Sequence, residues 1–143
     1  MSRVQLALNV SDLDAAVSFY SALFGVGPAK VRPGYANFAV ANPPLKLVLI
    51  EGGTPGTVNH LGIEVASTDE VAAATTALAA AGLATDVEEG TTCCYAVQDK
   101  VWVDGPDLAR WEVYTVLADA DPSTGLDGDG ACCAPSAVAP NCC

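Results

Sequence analysis

The chain has 143 residues, about half of them apolar, which is enough for one hydrophobic core or for two small modules that share one. Seventeen Asp and Glu against six Lys and Arg give a formal charge of −11, which argues against nucleic acid or an anionic membrane as partner. No apolar run reaches the length of a membrane span and the opening MSRVQL lacks a secretory pattern, so the expected compartment is the cytoplasm.

Residues 3–10 alternate, with Val4, Leu6, Leu8 and Val10 on one side and Gln5, Ala7 and Asn9 on the other, the pattern of a half-buried strand. Ser11 is expected to cap a helix over about 12–24, with Asp14 in a capping-box-like position. Leu13, Val17, Tyr20 and Phe24 form its apolar stripe, and Gly25 supplies the stop. Strands over 35–40 and 45–50 follow, joined by Asn42-Pro43-Pro44, and the Gly-rich segment 52–56 reads as a linker.

The same order then begins again. Residues 60–65 alternate, Ser67-Thr68-Asp69-Glu70 is a capping box, and Val71, Ala74, Leu78 and Ala81 continue a small-residue helix stopped by Gly82. Strand-like segments follow at 84–88, 94–98, 100–104 and 111–117. The two copies are offset by fifty-five residues, which places Gln5 on His60, Ala7 on Gly62 and Asn9 on Glu64. Residues 118–143 are rich in Ala, Asp, Gly and Pro and are expected to form a flexible tail.

Six cysteines fall as three adjacent pairs, Cys93-Cys94, Cys132-Cys133 and Cys142-Cys143. With no C-x-x-C spacing and one histidine, neither a zinc site nor a disulfide framework accounts for them as well as paired free thiols do. A vicinal dithiol at 93–94 suits a soft, thiol-reactive metalloid. If each helix covers the apolar strand face of its module, the opposite faces carry Gln5, His60, Glu112 and Tyr114. An amide oxygen, an imidazole and a carboxylate suit a divalent metal with positions left open. Each residue also has a plain reading: Gln5 as a polar neighbour of a cavity, His60 as a hydrogen-bonded structural histidine, Glu112 as an edge charge, and Cys93 and Cys94 as small buried hydrophobes. The repeat offset favours ligation for Gln5 and His60. The apolar flanks Trp111 and Val113 favour it for Glu112, because alternation turns Glu112 to the other face. Asn9 and Glu64 are expected to be cavity-wall residues only, and Tyr95, Lys100, Trp102 and Tyr114 to shape a pocket without an assigned role.

The doubled unit, with VQLALNVSDLDAAVSFYSALFG opening the first copy and VNHLGIEV the second, resembles the vicinal oxygen chelate superfamily, which includes glyoxalase I and extradiol dioxygenases. The resemblance implies an α+β fold of two βαβββ modules whose curled mixed sheets surround a metal-binding cavity. It implies a domain over 1–117, with modules at about 1–53 and 57–117, followed by the tail. It also implies Gln5, His60 and Glu112 as metal ligands. The carboxylate of the first module's last strand in glyoxalase I has no match, since Leu45, Leu47 and Leu49 stand there. The superfamily's Asp-Pro-Asp-Gly turn is replaced by Asp104-Gly105-Pro106-Asp107-Leu108, so that turn is expected to be rebuilt.

TTCCYA and the Cys-rich tail resemble the carbon–arsenic lyases within that superfamily. This implies a non-haem Fe(II) dioxygenase-type enzyme with O2 as co-substrate. Its substrates would be trivalent organoarsenicals, methylarsenite and reduced aromatic arsenicals, held by Cys93 and Cys94 and converted to inorganic arsenite. Ni(II) or Co(II) can occupy such an N/O set in a purified sample. Two alternatives stay open: a metal-free protein that sequesters metalloids or drugs, and a glyoxalase-type isomerase. Homodimerisation and the roles of Cys132, Cys133, Cys142 and Cys143 are also left open.

Overall fold

In a computed structural model of the chain, residues 2–93 and 95–120 are described, Cys93 and Leu108 by their backbone alone. Cys94, Cys132, Cys133, Cys142, Cys143 and nearly all of the expected tail lie outside the described residues. The fold is α+β. Its order is β1 (Arg3–Val10), α1 (Leu13–Phe24), β2 (Lys30–Arg32), β3 (Tyr35–Val40), β4 (Leu45–Glu51), β5 (Val58–Glu64), α2 (Thr68–Ala80), β6 (Thr85–Cys93), β7 (Ala96–Asp104) and β8 (Arg110–Asp119). The βαβββ order thus occurs twice. First residues Arg3 and Val58, Leu13 and Thr68, and Lys30 and Thr85 each keep the fifty-five-residue offset. The offset then widens, because β6 has nine residues where β2 has three. β2 was not expected from the sequence: three residues are too few to show a period, and only its pairing with β3 defines it.

The chain forms two compact units, Arg3–Leu61 and the residues from Gly62 onward, so β5 begins in the first and ends in the second. In the first unit the strand order is β2-β3-β4-β1-β5, with β1 parallel and β3 antiparallel to β4. Helix α1 lays Leu13, Ala16, Val17, Tyr20 and Phe24 on one face of these strands. They pack there against Leu6, Leu8, Phe38, Leu47 and Leu49. Fully burying Phe38, Leu47 or Leu49 contributes about 1.5–3 kcal/mol each. The opposite face is buried as well, and there Gln5, Ala7 and Asn9 of β1 lie beside Lys46, Val48 and Ile50 of β4. The helix cap is Asp12, one residue later than expected. Its Oδ1 accepts from the Ala15 amide, while Glu51 Oε2 accepts from the Leu13 amide at 3.0 Å. Two carboxylates at the N-terminus satisfy first-turn donors and favour the helix dipole, which a Ser11 hydroxyl one residue upstream cannot do as well.

In the second unit β7 lies between β6 and β8, antiparallel to both. Helix α2 packs Val71, Ala74 and Leu78 on Val65, Val101 and Val113. Ser67 caps it as expected, but Glu70 reaches back to the Ala66 amide, one residue before the cap. At its C-terminus the Gly82 amide bonds Ala79 and the Leu83 amide bonds Leu78, with Gly82 at φ 80, the geometry in which glycine closes a helix.

Two expectations about this unit are corrected. Segments 94–98 and 100–104 are one strand, β7 (Ala96–Asp104), and the strand expected at 84–88 runs on to Cys93 as β6. The strand continues through Asp99 because that carboxylate is satisfied: Thr68 Oγ1 donates to Oδ2 at 2.5 Å and the Gly90 amide to Oδ1 at 2.7 Å. The Gly90 amide is available because β6 shifts register between Glu88 and Thr91, with Gly90 at φ 58. Before β8 the turn is rebuilt as expected. Asp107 takes the positive φ of 60 within the short helical turn Pro106–Leu108, a conformation Asp tolerates better than Leu. Pairing then runs without a break from Asp104 with Arg110 to Trp102 with Glu112. β8 extends to Asp119, two residues past the expected end of the core.

Candidate functional site

In the first unit Gln5 of β1 and His60 of β5 are each 4% exposed and touch. The Gln5 Nε2 and His60 Nε2 atoms lie 3.1 Å apart. Alternation accounts for this, since each occupies a position facing away from the helix-covered side of its strand. On the other side of the imidazole, His60 Nδ1 is 2.7 Å from Asn59 Oδ1. Asn59 Nδ2 donates to Asn9 Oδ1, and Asn9 Nδ2 donates to Thr57 Oγ1, both at 3.0 Å. Thr57 Oγ1 donates to the Thr54 carbonyl at 2.5 Å. Asn9 is therefore more than a wall residue: it is the middle link of a hydrogen-bond chain that ends on the only histidine. Sequence reasoning missed Asn59, because neighbours along a strand point to opposite faces and alternation does not predict contact between them.

In the second unit Glu112 is 2% exposed and Lys100 1%. Lys100 Nζ donates to Glu112 Oε2 at 2.9 Å. Glu112 pairs with Trp102, and Tyr114 with Lys100, so all four lie on one face, while Val113 packs toward α2 on the other. The Lys100 ammonium stands 5.2 Å and the Arg110 guanidinium 4.3 Å from the Trp102 ring centre, both within cation–π range. Two buried opposite charges in contact compensate each other, where either alone would carry a large desolvation cost. Lys100 was expected only to help shape a pocket. Its alternation with Trp102 already placed it on the Glu112 side, but the pairing depends on cross-strand register. Gln98, on the same strand and also buried, has an Oε1 with no hydrogen-bond partner among the described residues. The Asp99 carboxyl is held below its ordinary range by the Thr68 hydroxyl and then the Gly90 amide, against the opposing effect of burial.

The structure therefore brings Gln5 and His60 together in one unit and holds Glu112 with Lys100 in the other. Among the described residues no three His, Cys, Asp or Glu side chains cluster to hold a metal. By donor type, the buried imidazole nitrogen and amide of the first unit and the buried carboxylate of the second are each groups that a divalent metal accepts. Of the dithiol, the Cys93 backbone closes β6 opposite Ala96, with Tyr95 at φ 70 in the connection; the Cys93 side chain and Cys94 lie outside what is described.

Residues 3–113 match the model of the Glyoxalase/Bleomycin resistance protein/Dioxygenase superfamily, and the chain belongs to that family. It is 59% identical, over the full length of both chains, to the trivalent organoarsenical cleaving enzyme of Thermomonospora curvata. It is 58% identical to the cadmium-induced protein CadI of Mycobacterium tuberculosis, with 97% of each chain covered. Among solved structures, an extradiol ring-cleaving dioxygenase from Brevibacterium fuscum matches with a TM-score of 0.59 at 18% identity. That match covers 83% of this chain and 34% of the other and shows a shared fold. Among the described residues no helix is long and apolar enough to cross a membrane.

Proposed function

We propose that this protein cleaves the carbon–arsenic bond of trivalent organoarsenicals, methylarsenite and reduced aromatic arsenicals among them, releasing inorganic arsenite as a detoxification step in the cytoplasm. The observation that carries the reading is the 59% identity, with 100% of each chain covered, to a trivalent organoarsenical cleaving enzyme. In this reading Gln5, His60 and Glu112 hold Fe(II), and O2 is the co-substrate. Bound ferrous iron would supply the redox chemistry toward O2. His60 contributes its Nε2, Gln5 an amide oxygen and Glu112 a carboxylate oxygen. Lys100 Nζ engages Oε2 of Glu112 at 2.9 Å, which compensates the buried charge of the carboxylate. Cys93 and Cys94 hold the arsenic through two As–S bonds, formed as two arsenic hydroxyls leave as water. This fixes the substrate and contributes proximity to the rate. Pentavalent arsenicals, which lack open soft positions, are poor substrates in this scheme.

The experiment is anaerobic reconstitution of the full chain with Fe(II) and methylarsenite, followed by arsenic speciation after O2 is admitted. Arsenite should form only when protein, Fe(II) and O2 are all present. Undiminished methylarsenite under those conditions would remove the lyase reading. A second reading, metal-free sequestration of a soft ion by the dithiol, is favoured by the likeness to a cadmium-induced protein. It predicts stoichiometric binding of methylarsenite or Cd(II) without turnover.

A further inference from the structure

We infer that Asn59 is a positioning residue that fixes the imidazole of His60 in its Nδ1–H form. At the far end of the hydrogen-bond chain stands a group whose role cannot be reversed. The Thr54 carbonyl can only accept, so the Thr57 hydroxyl donates to it. The Thr57 oxygen then has only lone pairs to offer Asn9, which must present its NH2. Asn9 is left with its carbonyl oxygen toward Asn59, which must also present NH2. Asn59 in turn faces His60 Nδ1 with an oxygen, an acceptor only, at 2.7 Å. Nδ1 therefore carries a proton. On the other side of the ring, Nε2 lies 3.1 Å from the Gln5 amide nitrogen. Each link excludes the reversed orientation of the next, because reversal would place two acceptors face to face.

The chain of bonds is held in place by backbone. The Asn9 amide donates to the Thr57 carbonyl and the Gly56 amide to the Asn9 carbonyl, both at 2.9 Å, which ties the segment after β4 to β1. Gly53 presses on the same side chain: at φ +61, a Cβ there would lie 3.0 Å from Asn9 Cγ. A larger residue would displace the Asn9 amide, so glycine is required by close approach as well as by its backbone angle. A histidine ligand whose second nitrogen donates to a fixed acceptor is oriented and made a better ligand. That consequence for metal binding rests on the reading above, whereas the tautomer itself does not.

Because His60 is the only histidine, proton–nitrogen correlation NMR of isotope-labelled histidine reads its tautomer without assignment ambiguity. The full-length, metal-free protein should show a protonated Nδ1 and a bare Nε2 at a pH well above the ordinary histidine range. This is the reverse of the form free histidine prefers in water. Asn59 is exposed, so Asn59→Ala should keep the fold, which circular dichroism checks. In that variant the population should move toward Nε2–H, and Co(II) binding, measured by chelator competition, should weaken about 10–100-fold. Asn59→Asp, which loses the donor to Asn9 but keeps an acceptor at Nδ1, should retain the wild-type tautomer. An Nε2–H form in the wild type, or a tautomer unchanged in folded Asn59→Ala, would overturn the inference. If the wild type shows the Nδ1–H form yet binds neither Co(II) nor Fe(II), the metal reading fails and the positioning role stands.

Discussion

At the scale of single residues, the two buried charges of the second unit are the most exposed to test. Lys100 and Glu112 are almost fully enclosed, and neither has water to fall back on. Lys100→Met should therefore destabilise the metal-free protein by about 3–5 kcal/mol, the cost of a buried carboxylate that has lost its cation. Adding Glu112→Gln to it should recover part of that loss. Urea unfolding of the two single variants and the double variant measures the coupling, and strictly additive effects would contradict a mutual pair. The proposed capture step is tested separately. Cys93→Ser or Cys94→Ser should abolish stoichiometric methylarsenite binding while one metal ion per chain is retained. His60→Ala should do the reverse, binding methylarsenite but releasing no arsenite. Serine variants that still cleave substrate near the wild-type rate would sink the arsenic assignment.

At the scale of elements, β7 shows how one side chain decides whether a strand is whole. Asp99 has low strand propensity, and read locally it divides 94–104 into two pieces. In the fold its carboxylate ties the first residue of α2, Thr68, to the bulge of β6 at Gly90. The charge near the helix N-terminus is favoured as well. Its folded pKa is depressed, so its stabilisation is complete above the ordinary aspartate value of about 3.9 and is lost as pH falls through the folded value. Asp99→Asn should lower stability near neutral pH by about 1.5–3 kcal/mol, the range for hydrogen bonds to a charged group. The gap between wild type and variant should close on acidification below about pH 4. A gap constant down to pH 2 in denaturant titrations would show that the charge contributes nothing.

For the molecule as a whole, the βαβββ order occurs twice, and each copy covers one face of its strands with its own helix. The described chain ends in Ala120, whose amide donates to the Tyr95 carbonyl at 2.9 Å. The remaining residues carry much Gly, Pro and Asp and no periodic apolar face, so they are proposed to be dispensable for folding. Truncation after Ala120 should leave the thermal midpoint within about 2 °C, because a change of 1 kcal/mol shifts a domain of this size by a few degrees. A fall of many degrees would place part of the core in that segment.

The repeat, the element types and the inward positions of Gln5, His60 and Glu112 could be read from the sequence because they depend on local periodicity. A period of 2 or 3.6 residues and the capping residues at each helix start are written into neighbouring positions. The partners could not be read in this way. That Asn59 holds His60 through Asn9 and Thr57, that Lys100 takes Glu112, and that Asp99 joins β7 to α2 depend on which distant segments the strand register sets side by side. Of these, Lys100 and Asp99 look locally like ordinary surface charges, and only the tertiary structure removes them from water. Once buried, they must find partners, because an unpaired polar group there costs more than the hydrogen bond that satisfies it.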